Sequence, residues 1–165
     1  MPVSYGGQSQ QRWGDNTLNQ SEVMRDVLLF DTKGKSVGTA AARKKGLLLL
    51  AFIRANDPAC VATLQALQKM NEGYTASGKL SVLAVSQSET EETAAFAGAL
   101  GLTFPVLLDR DAYHAMTYGI SSVPTVYLTD ASGIVLRKAI GNKPAVLQEM
   151  ADRIATFAEA EPVKL

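Results

Sequence analysis

Two unbroken apolar runs constrain this chain more than anything else in it. Leu47–Ile53 and Leu80–Ser86 each carry apolar residues at nearly every position, with no alternation of polar and apolar side chains. A strand that can afford this is covered on both faces, as in the middle of a sheet with helices on either side. Between the runs, Val61, Leu64, Leu67, Met70 and Tyr74 recur every three or four residues, which predicts an amphipathic helix from Pro58 to about Ala76, closed by Ser77-Gly78. A strand, a helix and a second buried strand make a crossover unit. The two strands are therefore expected to be parallel neighbours.

The rest of the chain continues the alternation. Val27–Asp31 reads as a short strand before a turn at Lys33-Gly34-Lys35. Ser88-Glu-Thr-Glu91 fits a capping box opening an Ala-rich helix that ends at Gly101. Phe104–Leu108 reads as a third buried strand and Asp109–Tyr118 as a short helix. Thr125–Thr129 and Ile134–Ile140 form a hairpin across Asp130-Ala-Ser-Gly133. A final helix starts at Asn142-Lys-Pro144, with Leu147, Met150, Ile154 and Phe157 as its buried stripe. This order predicts an α/β fold: a central mixed sheet flanked by helices, with a terminal antiparallel hairpin. Residues 1–22, rich in Gln, Gly, Ser and Asn around Trp13, are expected to form a flexible arm. The domain is expected over 23–158, followed by a fraying tail over 159–165.

Charge and cysteine usage remove whole classes of function. Sixteen basic residues balance sixteen acidic ones, so no net field draws in a polyanion, and nucleic acid is not an expected partner. The single cysteine, Cys60, excludes an internal disulfide and a Cys-rich metal site; no metal and no cofactor are expected. The longest apolar run, residues 46–53, is far short of the ~20 residues that span a bilayer. Met1–Gln8 lacks the basic and apolar regions of a secretory signal. The expectation is a soluble chain, cytoplasmic as it stands and extracytoplasmic if a leader was trimmed.

Chemistry concentrates in Leu48-Leu-Leu-Ala-Phe-Ile-Arg-Ala-Asn-Asp-Pro-Ala-Cys60, where a hydrophobic strand runs through a short loop into a helix start. Asp57 before Pro58 reads as an N-cap followed by proline at the first helical position. Cys60 is then the third helical residue, where backbone N–H groups and the helix dipole favour a thiolate. The neighbouring carboxylate opposes it. Free cysteine is also among the most buried residue types, so a packing role stands beside the chemical one.

This segment resembles the active-site stretch of the thioredoxin-like redoxins, which include the alkyl hydroperoxide reductase/thiol-specific antioxidant (AhpC/TSA) family and the TlpA/ResA-like thiol-disulfide oxidoreductases. Tyr118-Gly-Ile-Ser-Ser-Val-Pro-Thr-Val-Tyr-Leu-Thr-Asp-Ala-Ser-Gly133 is similar to the family's second signature, and Asp26–Val37 to its lead-in hairpin. The resemblance covers about residues 23–158 and implies a thioredoxin-like fold. It also implies a cis peptide bond before Pro124, with Pro58, Val123 and Pro124 facing a bound substrate. Against the dithiol pattern Cys-x-x-Cys, Asp57 stands where the attacking thiol would be and Cys60 where the resolving thiol would be. Against the Thr/Ser-x-x-Cys pattern of one-thiol peroxidases, Cys60 is the nucleophile. The arginine those peroxidases use is absent from Ser122-Val-Pro-Thr125, which leaves Arg54 and Arg137 as candidates. The resemblance implies thiol-based oxidoreductase or antioxidant chemistry through Cys60, with protein thiols, disulfides or a hydroperoxide as partners. The alternative is a catalytically degenerate thioredoxin-fold module that binds peptide or protein. His114, without an orienting partner in the sequence, reads as an ordinary helix residue, and Arg43-Lys44-Lys45 as a solvated turn.

Overall fold

The computed structural model describes residues 21–165. Its elements in chain order are strand β1 (Leu28–Phe30), strand β2 (Ser36–Gly38), helix α1 (Thr39–Arg43), strand β3 (Leu47–Ile53), helix α2 (Pro58–Tyr74) and strand β4 (Leu80–Ser86). Helix α3 (Thr90–Leu100), strand β5 (Val106–Leu108), helix α4 (Tyr113–Thr117), strand β6 (Thr125–Thr129), strand β7 (Val135–Ile140) and helix α5 (Pro144–Ala158) follow. Among the described residues five strands form one mixed sheet in the order β5-β4-β3-β6-β7, and β1 and β2 form a separate antiparallel pair. β3 and β4 are parallel neighbours in register from Leu47↔Leu80 to Ile53↔Ser86, as their apolar runs require.

Alternation along β3 divides the core into two layers. Leu47, Leu49, Ala51 and Ile53 face α2 and α5 and share a cluster with Cys60, Leu64, Met70, Met150 and Ile154. Leu48, Leu50 and Phe52 face the other way, toward Met24, Val27, Ala115, Tyr118 and Tyr127. Phe52, Tyr118 and Tyr127 pack there in tilted and edge-to-face pairs with ring centroids 5.0–6.3 Å apart. Among the described residues no helix is long and apolar enough to cross a membrane.

Several local expectations are corrected. The capping box at Ser88 does not form: α3 starts one residue later, with Glu89 at the N-cap and no side-chain cap. The Ser88 hydroxyl is already engaged as acceptor for the Ala55 N–H at 3.0 Å. The third strand begins at Val106 and not at Phe104. The helix expected over Asp109–Tyr118 breaks into a 3-10 turn and α4, because Asp111 and Ala112 take left-handed φ of 62° and 54°. Buried Asp109 caps α4 from a distance, accepting the N–H groups of His114 at 2.9 Å and Ala115 at 2.8 Å.

Phe157 is not part of the α5 stripe; it is 48% exposed, and the smaller Ala155 and Ala158 pack inward in its place. α1 fills what reads as a loop, and Arg43 is no solvated turn residue. Its guanidinium pairs with Asp26 at 2.7 Å and donates to the Ala131 carbonyl at 2.8 Å. The tail is hydrogen bonded back to the helices: the Val163 N–H donates to the Tyr74 hydroxyl at 2.6 Å, and the Leu165 N–H to Gln148 Oε1 at 3.0 Å. Of the N-terminal arm, residues 1–20 with Trp13 lie outside the described residues, while Ser21 and Glu22 are already hydrogen bonded to Val135.

Candidate functional site

The carboxyl end of β3 delivers the chain into Arg54-Ala-Asn-Asp57, and this four-residue turn places everything that follows. Asn56 takes the left-handed φ of 64° that lets the chain reverse, a conformation Asn tolerates better than most residues. Asp57 then sits at the N-cap of α2 with extended backbone (φ −91°, ψ 124°) and Pro58 opens the helix. One Asp57 carboxylate oxygen accepts the N–H groups of Ala59 at 2.9 Å and Cys60 at 3.1 Å. The other pairs with the Arg54 guanidinium at 3.2 Å. These contacts, the Cys60 N–H foremost, hold the Asp57 carboxyl below its ordinary range.

Cys60 lies in the first turn of α2 and is fully buried, on the core face with Ile53 and Leu64. Burial pushes its thiol up to about 11, and the Asp57 carboxylate adds to that shift. The Arg54 backbone N–H and guanidinium pull the other way and lose. The thiolate that a helix N-terminus favours is thus outweighed by desolvation, and the sulfur is a neutral thiol at physiological pH.

β6 runs antiparallel to β3, with Phe52 opposite Thr125. The residues just before β6 therefore meet the end of β3. The Val123–Pro124 bond there is cis, and Val123 packs against the cluster that holds Cys60. Pro124 is buried, its carbonyl accepting the Gly141 N–H at 2.7 Å; Val123 is half-buried and Pro58 exposed. The fold thus brings Asp57, Pro58 and Cys60 to the same end of the sheet as Val123 and Pro124.

It does not bring every candidate there. Arg54 is at the site, engaged with Asp57. Arg137 is not: it lies on β7 opposite Leu128 and pairs with Glu149 of α5 at 2.7 Å. His114 is half-buried on α4 with its ring edge against Tyr113 at 5.0 Å, and no hydrogen bond joins it to Asp57 or Cys60.

Sequence reasoning missed the supports of the turn. Ser88 accepts the Ala55 N–H, and the Asn56 side chain donates to Glu92 at 3.2 Å. Behind Ser88, Ser86 and Thr93 are joined hydroxyl to hydroxyl at 2.8 Å in a buried position. The signal was Ser88 just after a buried strand, read instead as the start of a capping box.

Known proteins resemble this chain in sequence and in fold. A model of the AhpC/TSA family matches residues 21–138. The thioredoxin-like protein YneN of Bacillus subtilis is 32% identical over 122 residues, which cover 72% of this chain and 69% of that one. The thiol-disulfide oxidoreductase ResA of Geobacillus thermodenitrificans is 30% identical over 119 residues, covering 70% of this chain and 66% of that one. The chain thus spans about two thirds of the length of these relatives. The crystal structure of the peroxidoxin BcpB from Mycobacterium tuberculosis superposes with a TM-score of 0.70 at 17% identity, covering 85% of this chain and 96% of that one. At that identity the likeness concerns the fold alone.

Proposed function

Because the chain belongs to the AhpC/TSA family, we propose that it is a thiol redoxin working through one sulfur, Cys60, without a partner thiol of its own. The observation that carries this reading is the position of Cys60, in the first turn of α2 at the sheet end that also holds Val123 and Pro124. In this reading Asp57 occupies the place of a dithiol redoxin's attacking thiol. A carboxylate forms no mixed disulfide, so Asp57 acts by capping α2 and by its charge. Pro58, Val123 and Pro124 face the substrate.

The chemistry available to one sulfur balances with an external thiol. The Cys60 thiolate attacks the outer oxygen of a hydroperoxide; an S–O bond forms, the O–O bond breaks, and the alkoxide leaves and takes up a proton as the alcohol. The resulting sulfenic acid condenses with an external thiol to a mixed disulfide and water. A second external thiol attacks that disulfide, releasing Cys60 as thiolate and the two external sulfurs as a disulfide. Each cycle starts from a thiolate, whereas the resting state holds a covered neutral thiol. Reaction therefore waits for the 54–57 turn to open, with the Arg54 guanidinium the nearest positive charge to support the anion.

One observation favours a second reading. Complete burial of Cys60 suits a binding module that keeps the surface around Asp57, Pro58 and Pro124 for an extended peptide and does no chemistry. Timed intact-mass measurement of the native full chain with iodoacetamide, and separately with hydrogen peroxide, decides between them. The expected result is modification of Cys60 at a rate above that of global unfolding. Modification only as fast as the chain unfolds overturns the single-thiol reading in favour of the binding module.

A further inference from the structure

A cleft of about 750 Å³ lies at the opposite end of the sheet from Cys60, along the start of β4. Its floor is Leu80–Leu83, the half of β4 that has β3 on one side and, among the described residues, no strand on the other, since β5 pairs only with Ala84–Ser86. Residues of a parallel ladder alternate in the side to which their N–H and C=O point. The Ala84 N–H donates to the Pro105 carbonyl at 3.1 Å, so Val82 and Leu80 also direct their backbone groups toward the β5 side. There the pairing stops for a covalent reason. Continuing the ladder would require residue 105 to donate an N–H to the Val82 carbonyl, and Pro105 has none.

An unpaired strand edge is a template for another strand unless something blunts it. Here it is framed. Val37 of β2 and Ala42 of α1 form one wall, Asn71 and Thr75 at the end of α2 the other, and Phe104 closes one end. The walls come from opposite faces of the sheet, so the cleft follows the strand edge itself. Four residues of extended chain span about 13 Å, which sets the length of segment in contact. In a chain of zero net charge the cleft is one-sided: among the described residues Lys35 and Lys45 line it, and no carboxylate does. Both lysines are exposed.

We infer that the open half-edge of β4 is a docking site for an extended, carboxylate-bearing peptide segment of another protein, which adds to the sheet as a strand beside Leu80–Leu83. Main-chain hydrogen bonds to Val82 and Leu80 would hold the segment in register, and Lys35 and Lys45 would select its charge. The inference is independent of the chemistry at Cys60.

Amide hydrogen exchange of the isotope-labelled full chain, followed residue by residue by NMR, tests it with two synthetic decapeptides, one alternating Val and Glu and one alternating Val and Lys. In the free protein the Val82 amide is expected to exchange faster than that of Ala84, which is bonded to Pro105. Saturation to nine-tenths with the Glu peptide should slow Val82 exchange about ten-fold. Added salt should weaken that protection, and so should the exposed double variant Lys35→Glu/Lys45→Glu. The proposal is overturned if the Glu peptide leaves Val82 exchange unchanged, if the Lys peptide protects equally, or if the response centres on Val123 and Pro124. It is equally overturned if Val82 is already slow in the free chain, the sign of an edge covered by residues 1–20 or by a second copy.

Discussion

A single carboxylate does two opposed jobs in this protein. Asp57 closes the amino end of α2 by accepting two backbone N–H groups, and its charge adds to the burial that keeps the adjacent Cys60 sulfur protonated. The two roles separate on substitution. Asp57→Ala should lose about 0.5–2 kcal/mol of stability in denaturant titration, the usual cost of a lost cap, whereas Asp57→Asn should lose less because Asn caps nearly as well. Both variants should alkylate faster at Cys60, since the charge opposing the thiolate is gone and Arg54 is released from its pair. The pH dependence has a definite sign. Folding raises the Cys60 pKa to about 11, so burial of the neutral thiol contributes stability that is fully present below the ordinary thiol value of about 8.5. That contribution fades as pH climbs through about 11. Compared with Cys60→Ala, the unmodified chain should therefore lose ground in stability only above about pH 8.5, while its alkylation rate rises over the same window.

At the scale of elements, the site is a turn held from behind. β3 and β4 end side by side, and Ser88, just past β4, reaches across to the Ala55 N–H while Glu92 of α3 takes the Asn56 side chain. The hydroxyl that might have capped α3 is spent on the 54–57 turn, and the helix begins uncapped at Thr90. Ser88→Ala should leave the part-buried Ala55 N–H without its partner, costing on the order of 1–3 kcal/mol. It should also speed Cys60 alkylation without moving the midpoint of the rate–pH profile, because Ser88 positions the turn and carries no charge. A shifted midpoint would mean that Ser88 acts on the thiol itself. Asp109 is the same device at longer range: a buried carboxylate capping α4 across a left-handed turn, where the sequence suggests one continuous helix.

Across the whole molecule, the central strand joins two cores and one end of the sheet collects the candidate site. This organisation supports a gain-of-function test. Asp57→Cys creates a Cys-Pro-Ala-Cys helix start beside Val123 and Pro124, and should form a 57–60 disulfide and reduce insulin with dithiothreitol as electron source, which the unmodified chain should not do above background. A folded variant that forms no such disulfide would show that the turn geometry has drifted away from dithiol exchange. Much of this was legible beforehand. The limits of β3, β4 and β6 follow from runs of apolar and β-branched residues that no other environment suits, and Asp-Pro before an amphipathic stretch determines the cap, the start of α2 and the helical turn that carries Cys60. Other features depend on partners far away in the chain, and local pattern is blind to those. Cys60 rests as a neutral thiol because Ile53, Leu64 and their neighbours remove water from it, overriding the helix N-terminus. Ser88 serves Ala55 across 33 residues, Arg43 reaches Ala131 across 88, and Val163 settles on Tyr74 across 89. A hydrogen bond or a desolvated sulfur belongs to the packed state, and only tertiary structure decides which groups share it.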